Sequence, residues 1–266
     1  GSAFKRLKLA NTIYPTKKEY NLLRTSPISF FPEDKVIHLA AKVGGVKANI
    51  DYVSDFYYEN HLINQNILES AHRCSAGKVI SLLSTCVYPD APYVTYPLTE
   101  GQLHIGPPHH SNFGYAYAKR MVDVMSRAYR QQYGCNFITA IPNNLYSEVE
   151  VWGDGTPLRE FTYSEDIARI LLFLLNNYDD PEPINIGNTD EYSIKEVVEI
   201  ICSILEYEGK IVWQTDKPSG QHRKPSSNKK LLDLGWEKEN YTPLKEGLKK
   251  TCEWFIINYP KVRGIS

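Results

Sequence analysis

Lys78–Ser84 (KVISLLS), followed at once by Thr85-Cys86, is the stretch on which the fold turns. It is short, apolar and rich in branched side chains, without clean alternation of polar and apolar residues. A strand of that kind is covered on both faces, as in a parallel sheet. Two other runs read the same way, Lys35–Ala41 (KVIHLAA) before it and Asn136–Ile141 (NFITAI) after it. Between them, Ser54–Cys74 sets Phe56, Leu62, Ile63, Ile67, Leu68 and Ala71 mostly at helical spacing, and Tyr115–Tyr133 does the same with Met121, Val122, Met125 and Tyr129. Strand, helix, strand, helix, strand predicts right-handed crossovers and a doubly wound α/β domain.

The second half has a different texture. Ile184–Ile186 predicts a short strand ending at Gly187, and Ser193-Ile-Lys-Glu196 is a capping box opening a helix through Ile200 and Leu205. Lys210–Trp213 reads as a further strand and the polar Lys217–Asn228 as a loop. A last helix is expected from Thr242-Pro243, with Thr as cap, Pro at the first position, and Leu244, Leu248 and Phe255 on one face. This half predicts a smaller α/β lobe.

Composition bounds the function. The 266 residues make one large domain or two small ones. Lys plus Arg is 30 against 31 acids, a net charge of −1, which argues against a nucleic-acid binder. No apolar run is long enough to span a membrane, and the first residues have no apolar core of a secretory signal. The five cysteines, Cys74, Cys86, Cys135, Cys202 and Cys252, are scattered, with no C-x-x-C pair. They fit reduced thiols of a cytoplasmic protein rather than a disulfide framework or a zinc site, and no metal is expected.

The chemistry is read at Tyr115-Ala-Tyr-Ala-Lys119. Tyr and Lys four apart share a helix face. An ammonium at about 4 Å is worth about 4 kcal/mol at an effective dielectric near 20, enough to pull a phenol down by roughly three pKa units. That predicts a proton donor for a ketone under reduction. The spacing alone is weak, since Tyr14/Lys18 and Tyr241/Lys245 repeat it. Context singles out the central pair. The strand before it ends in Ser84-Thr85-Cys86, and ligands of open parallel sheets sit beyond the carboxyl ends of strands. Ser84 is thereby placed to hydrogen-bond a bound carbonyl.

With these residues the chain resembles the extended short-chain dehydrogenase/reductases. Within them it is similar to the GDP-L-fucose synthase family of epimerase/reductases. The resemblance is carried by HLAAKVGG (His38–Gly45), LSTCVYP (Leu83–Pro89), GPPHHSNFGYAYAKRM (Gly106–Met121), QQYGCNF (Gln131–Phe137), IPNNLY (Ile141–Tyr146) and VWGDGTPLREFTYSEDIA (Val151–Ala168). It implies a Rossmann sheet over residues 1–146 binding NADP(H), and a GDP-sugar lobe mainly over 147–266, with some segments returning to the first domain. By the resemblance Ser84, Tyr115 and Lys119 form the reductase triad, with Lys119 also on the nicotinamide ribose. Cys86 matches the base that removes protons at C3 and C5, a task that suits a thiolate. Gly1 (as the last glycine of the phosphate loop), Ala40, Ala41, Pro142, Asn143, Asn144 and Leu145 match cofactor contacts. Trp152, Arg159 and Ser219 match substrate contacts, although the family usually has an acid where Ser219 stands. The resemblance further implies a homodimer built on the helices at Ser54–Cys74 and Tyr115–Tyr133.

The chain departs from the family pattern in three places. A Rossmann domain opens with a strand and a Gly-rich phosphate loop, and here Gly1–Leu7 resembles only the loop's last glycine and the helix behind it. Leu23–Pro32 is too short for the expected strand and crossover helix. After Tyr146 the chain runs almost at once to Trp152, where the family carries its catalytic His, and none of the seven histidines stands at that place. The expectation is a chain joined from pieces of a longer one, without bound dinucleotide. Two other readings stay open: a 4-epimerase or 4,6-dehydratase of the same superfamily, and a non-catalytic dinucleotide-binding sensor. Thr85-Cys86, where a dehydratase would place carboxylates, argues against the dehydratase.

Overall fold

The computed structural model describes residues 12, 13, 15, 21–23, 28–145, 153–213, 215 and 222–259, with Val46, Asn144 and Leu145 described by backbone alone. The elements run β1 (Lys35–His38), α1 (Val46–Asp51), α2 (Val53–Arg73), β2 (Lys78–Leu82), α3 (Phe113–Tyr133), β3 (Phe137–Pro142) and β4 (Asn144–Leu145). They continue with β5 (Leu158–Thr162), α4 (Ser164–Asn177), β6 (Ile184–Ile186), β7 (Glu191–Ser193), α5 (Ile194–Ile204), α6 (Lys229–Asp233) and α7 (Leu244–Asn258).

Four strands make one parallel sheet in the order β1-β2-β3-β6. Both of its faces are covered, which is why its strands read as continuous apolar runs. Val79, Phe137 and Ile141 point to the side packed by Leu68, Ala71 and Val122 of α2 and α3. Ile80, Ile138 and Ala140 point to the other side, against Ile167, Ile170, Leu171 and Leu174 of α4. This is the α/β Rossmann architecture expected from the three runs. The strand and phosphate loop that would precede β1 are not supplied by any described residue, and Gly1 lies outside them.

Beyond β3 the chain builds a second, three-stranded sheet, β4-β5-β7, with β4 parallel and β7 antiparallel to β5. It packs on Tyr163, Val197, Leu244 and Leu248. Segments from both sheets alternate along the chain after β3, so α4 and β6 return to the main sheet before β7 joins the small one. The capping box of α5 forms as expected: Ser193 accepts from the Glu196 N–H, and Glu196 accepts from the Ser193 N–H.

Two expectations fail. Lys210–Trp213 is irregular, not a strand. None of the described strands pairs with it, and a short apolar run without a ladder partner gains no hydrogen bonds from extending. The last helix begins at Leu244, with Pro243 in the cap position and no side-chain cap. Thr242 turns instead to the buried Asp166, donating from its N–H at 2.8 Å and from its hydroxyl at 2.9 Å. Of the two stretches where the sequence reads as shortened, residues 24–27 of Leu23–Pro32 and all of 146–152 lie outside the described residues. No described helix is long and apolar enough to cross a membrane.

Lys78 at the start of β2 is buried, and its ammonium closes the end of α4. It donates to the carbonyls of Leu174, Leu175 and Tyr178 at 3.0, 3.1 and 2.7 Å and to Asp179 at 2.7 Å. These carbonyls lie at the end of a helix, where intrahelical donors run out, although Leu174 still accepts from the Tyr178 N–H at 3.2 Å. Lys78→Met should lower the unfolding free energy by about 3 kcal/mol in a urea titration, because the freed carbonyls stay buried.

Candidate functional site

The site lies at the carboxyl ends of β1, β2 and β3. Beyond β2 the chain enters a single 3-10 turn, Thr85–Val87, whose first N–H groups need a cap. Ser84 provides it: its hydroxyl accepts from the Cys86 N–H at a long 3.5 Å. Along Leu83–Val87 burial alternates, so Ser84 and Cys86 reach the surface of the cleft while Leu83, Thr85 and Val87 anchor the turn in the core.

Helix α3 brings the other two residues. Tyr115 is half-buried with its ring edge-on to Phe56, the centroids 6.4 Å apart. One turn later Lys119 is 2% exposed and its ammonium donates to the Leu82 carbonyl at 2.9 Å. Burial draws Lys119 down to about 8, and the Cys86 thiol opposes the fall. Burial also raises the Tyr115 phenol above the ordinary phenol range, and Cys86 raises it further. The Cys86 thiol therefore stands near both Tyr115 and Lys119, and Ser84 caps the turn that carries it.

One electrostatic expectation is reversed. The phenol is not acidified by its helix neighbour. Desolvation and the Cys86 thiol both raise it, and the Lys119 ammonium is engaged with the Leu82 carbonyl. Tyr115 thus holds its proton firmly at neutral pH. Of the two other Tyr/Lys matches, Tyr241 lies ahead of α7 and donates its hydroxyl to the Gly187 carbonyl at 2.7 Å. Tyr14 lies outside the described residues.

On the dinucleotide side, Ala40 and Ala41 follow β1 in a segment tied down by the fully buried Asn60. That amide accepts from the Lys42 N–H at 2.9 Å and donates to the Lys42 carbonyl at 3.0 Å. Pro142 ends β3, and Asn143 is buried just after it. Gly187 adopts φ +138°, and a Cβ there would sit 2.5 Å from the Asn143 amide, so only glycine lets β6 end this close to Asn143. Asn144 and Leu145 form β4 beside Phe161 and Thr162. The two alanines and the fixed amide thus stand at the carboxyl ends of the strands, where open parallel sheets take their ligands.

On the sugar-nucleotide side, Arg159 of β5 is half-buried, and its guanidinium donates to the Leu158 carbonyl at 2.7 Å and the His222 carbonyl at 3.3 Å. Trp152 and Ser219 lie outside the described residues. The sequence missed Lys224. Burial draws it down to about 8, Cys86 and Asp90 oppose the fall, and Arg159 adds to it. Lys224 therefore lies within electrostatic reach of the thiol, the guanidinium and Asp90. It was hidden because a lysine in a polar, proline-flanked segment carries no periodic signal.

Arg120 was missed as well. It is 4% exposed, donates from Nε to the Val87 carbonyl and from Nη1 to the Gly106 carbonyl, and feels the Cys86 thiol. It pins the turn that carries the thiol. His38, at the end of β1, is the third. Its Nε2 pairs with Asn64 at 2.9 Å, and Asn64 donates to the Ala118 carbonyl at 3.2 Å, next to Lys119.

The comparisons fit this geometry. The model of the NAD dependent epimerase/dehydratase family matches residues 18–187. The chain belongs to that family, among the GDP-L-fucose synthases. A GDP-L-fucose synthase of Dictyostelium discoideum is 40% identical, with 90% of this chain and 84% of the relative covered. A probable GDP-L-fucose synthase of Drosophila melanogaster is 36% identical over 86% and 82%. The crystal structure of a GDP-L-fucose synthetase from Naegleria fowleri bound to NADP superposes with a TM-score of 0.87 at 34% identity, covering 98% of this chain and 91% of that one. The Dictyostelium alignment runs over 273 positions while drawing on only 90% of 266 residues. That relative therefore carries internal residues with no counterpart here.

His38 makes a test of the electrostatics. Burial lowers it from 6.5 to about 4, and the Lys119 charge lowers it further, while the Asn64 hydrogen bond opposes. The folded state stays neutral where the unfolded chain takes up a proton, so stability is full above pH 6.5 and falls toward pH 4. Unfolding free energies should drop by about 3 kcal/mol over that window from this group alone. His38→Asn should flatten that part of the curve.

Proposed function

We propose that this chain converts GDP-4-keto-6-deoxy-D-mannose to GDP-L-fucose, by epimerisation at C3 and C5 and reduction of the C4 ketone with NADPH. The observation that carries the reading is the Cys86 thiol sharing one cleft with Tyr115 and two desolvated lysines, Lys119 and Lys224. A reductase alone needs a hydroxyl, a phenol and a lysine. The thiol adds a base beside the positions acidified by the ketone.

In this reading Ser84 donates to the C4 carbonyl oxygen. Cys86, as thiolate, takes the proton from C3 and then C5, and the electron pair left on carbon moves onto that oxygen as an enolate. Re-protonation on the opposite side inverts each centre, and its donor is not among the residues gathered in the cleft. NADP(H), when bound, supplies the hydride that reduces C4. Tyr115 gives its phenolic proton to the oxygen at C4. Lys119 holds the ribose and keeps the phenol in place. Ala40, Ala41 and Pro142–Leu145 take the dinucleotide, with Gly1 at the phosphate loop. Arg159 and Lys224 are desolvated cations side by side, which favours the diphosphate of the sugar nucleotide. By the family resemblance, Trp152 and Ser219 are further substrate contacts. Residues 1–146 form the dinucleotide half and 147–266 mainly the sugar half, with α4 and β6 returning to the first.

The test is NADPH oxidation by the full chain given this ketone, with deuterium exchange at C3 and C5 followed by NMR. Tyr115→Phe should lower reduction by about 10³-fold and leave exchange running. Cys86→Ser should stop exchange first. NADPH binding with neither oxidation nor exchange would leave a sensor and remove the enzyme reading.

We also infer a cytoplasmic homodimer. All five cysteines are free thiols. On α3, Phe113, Tyr117 and Val124 are 46%, 38% and 43% exposed on one face, and Tyr57 and Tyr58 are exposed on the neighbouring α2. A second copy covering this stripe gives a four-helix interface. Sedimentation should find a dimer, and a Tyr58→Glu/Val124→Glu double variant should sediment as a folded monomer.

A further inference from the structure

One buried carboxylate has no part in the chemistry above. Glu160, in β5 next to Arg159, is 2% exposed. Its Oε1 accepts from the Ser226 N–H at 2.8 Å, and its Oε2 accepts from the Ser226 hydroxyl at 2.6 Å and from the Asn143 amide at a long 3.4 Å. Each partner belongs to a different part of the site. Ser226 is two residues beyond Lys224, and its segment is bound to Leu98 on both sides, through Leu98 N–H to Pro225 and Ser227 N–H to Leu98. Asn143 closes β3. Its amide nitrogen also donates to the Asn188 carbonyl at 2.5 Å, and its oxygen accepts from Thr162 at 2.7 Å.

We propose that Glu160 is a positioning residue that ties the Lys224 segment to Asn143, so that the grip on the sugar nucleotide and the grip on the dinucleotide are set together. The inference rests on the function proposed above. A rigid tie of this kind makes one ligand pay the ordering of the segment that the other also needs, which is coupling without any contact between the ligands.

The tie has two forms. The ionised carboxylate accepts from all three donors. A protonated Glu160 donates to the Ser226 hydroxyl instead and becomes a poor acceptor for Asn143, so the link toward the dinucleotide slackens. Burial pushes Glu160 up to about 7, opposed by the Ser226 hydroxyl and N–H and by Asn143, and assisted by Glu191 of β7. Arg223, paired in bidentate fashion with Glu191, faces it from the Lys224 segment. Lys229 and Asp233 of α6 line the cavity of about 510 Å³ that opens onto Glu160. Both forms of the tie are therefore populated near neutral pH.

The experiment has a ligand-free arm and a binding arm. In the 15N-labelled chain, the Ser226 backbone amide and the Asn143 side-chain amide should titrate together, with a shared midpoint near 7. Both should be still in Glu160→Gln. In calorimetry, GDP should bind the wild type about fivefold more tightly once NADP⁺ is present, a coupling at the low end of the usual range. Glu160→Gln should lose that gain, and Glu160→Asp should keep part of it. If Glu160→Gln does not fold, Ser226→Ala serves, and the Asn143 midpoint should then move up because a donor to the carboxylate is gone. An Asn143 amide that stays still while Ser226 titrates overturns the tie. Unchanged coupling in Glu160→Gln overturns its positioning role. A wild type that binds neither GDP nor NADP⁺, with both amides titrating together, overturns the proposed function while supporting the tie.

Discussion

The hydrogen bond from the Lys119 ammonium to the Leu82 carbonyl is the constraint around which the site is arranged. A buried ammonium is costly unless a strong acceptor meets it. The last carbonyl of β2 is such an acceptor, since the chain leaves the ladder there for a 3-10 turn. Meeting it fixes the rotation of α3 against β2. That rotation sets Tyr115 one turn earlier on the same face and brings it to Ser84 and Cys86 just past the strand end. His38 and Asn64 hold the other flank of α3 through the Ala118 carbonyl. Arg120 holds the turn itself through Val87. Three backbone carbonyls next to the site are thus capped by buried side chains, and the cleft is shaped before any ligand enters it.

The second organising effect is desolvation of like charges. Lys119, Lys224 and Arg159 are all lowered by burial. Lys224 is lowered further by Arg159, so the two cations repel in the ligand-free protein. Such a pair is held together by the fold and relaxed by an anion. In the proposed function, that anion is the diphosphate of the sugar nucleotide. The Cys86 thiol is within electrostatic reach of both lysines and opposes the fall of each. The small sheet supplies Arg159, and the segment after it supplies Lys224. The main sheet supplies the rest, so the cleft exists only where the two sheets meet.

What the sequence made legible follows from the range of the interactions involved. β1, β2 and β3 were readable because a strand covered on both faces must be apolar along its length. The capping box at Ser193 and the helices α2 and α3 were readable because their signals lie within a few residues. Ser84, Cys86, Tyr115 and Lys119 were readable as local motifs on those elements. Lys224, Arg120, His38 and Glu160 were not, because their partners lie 14 or more residues away in sequence and nothing in their neighbourhood announces them. The failed strand at Lys210–Trp213 is the same lesson inverted. Its composition suits a strand, but a strand also needs a ladder partner, and none of the described strands pairs with it. The sign of the Tyr115 shift was unreadable for a related reason. Spacing gives the neighbour, and only the packing around the ring gives the desolvation.

In the proposed reduction, that reversed shift changes how the proton must move. A phenol acidified in the resting protein would lose its proton to water before the ketone arrived. A phenol held above its ordinary range keeps it. The developing alkoxide at C4 is a far stronger base than water, so it draws the proton from a reluctant donor that water leaves untouched. The phenolate left behind then lies in the same buried cleft as an ammonium drawn down to about 8. It is stabilised only at that moment, which is when stabilisation lowers the barrier rather than the resting state. The attraction between Tyr115 and Lys119 is thus real in its consequence but deferred. It acts on the charge that forms during reduction, and the burial that masks it at rest is what makes it strong when it acts.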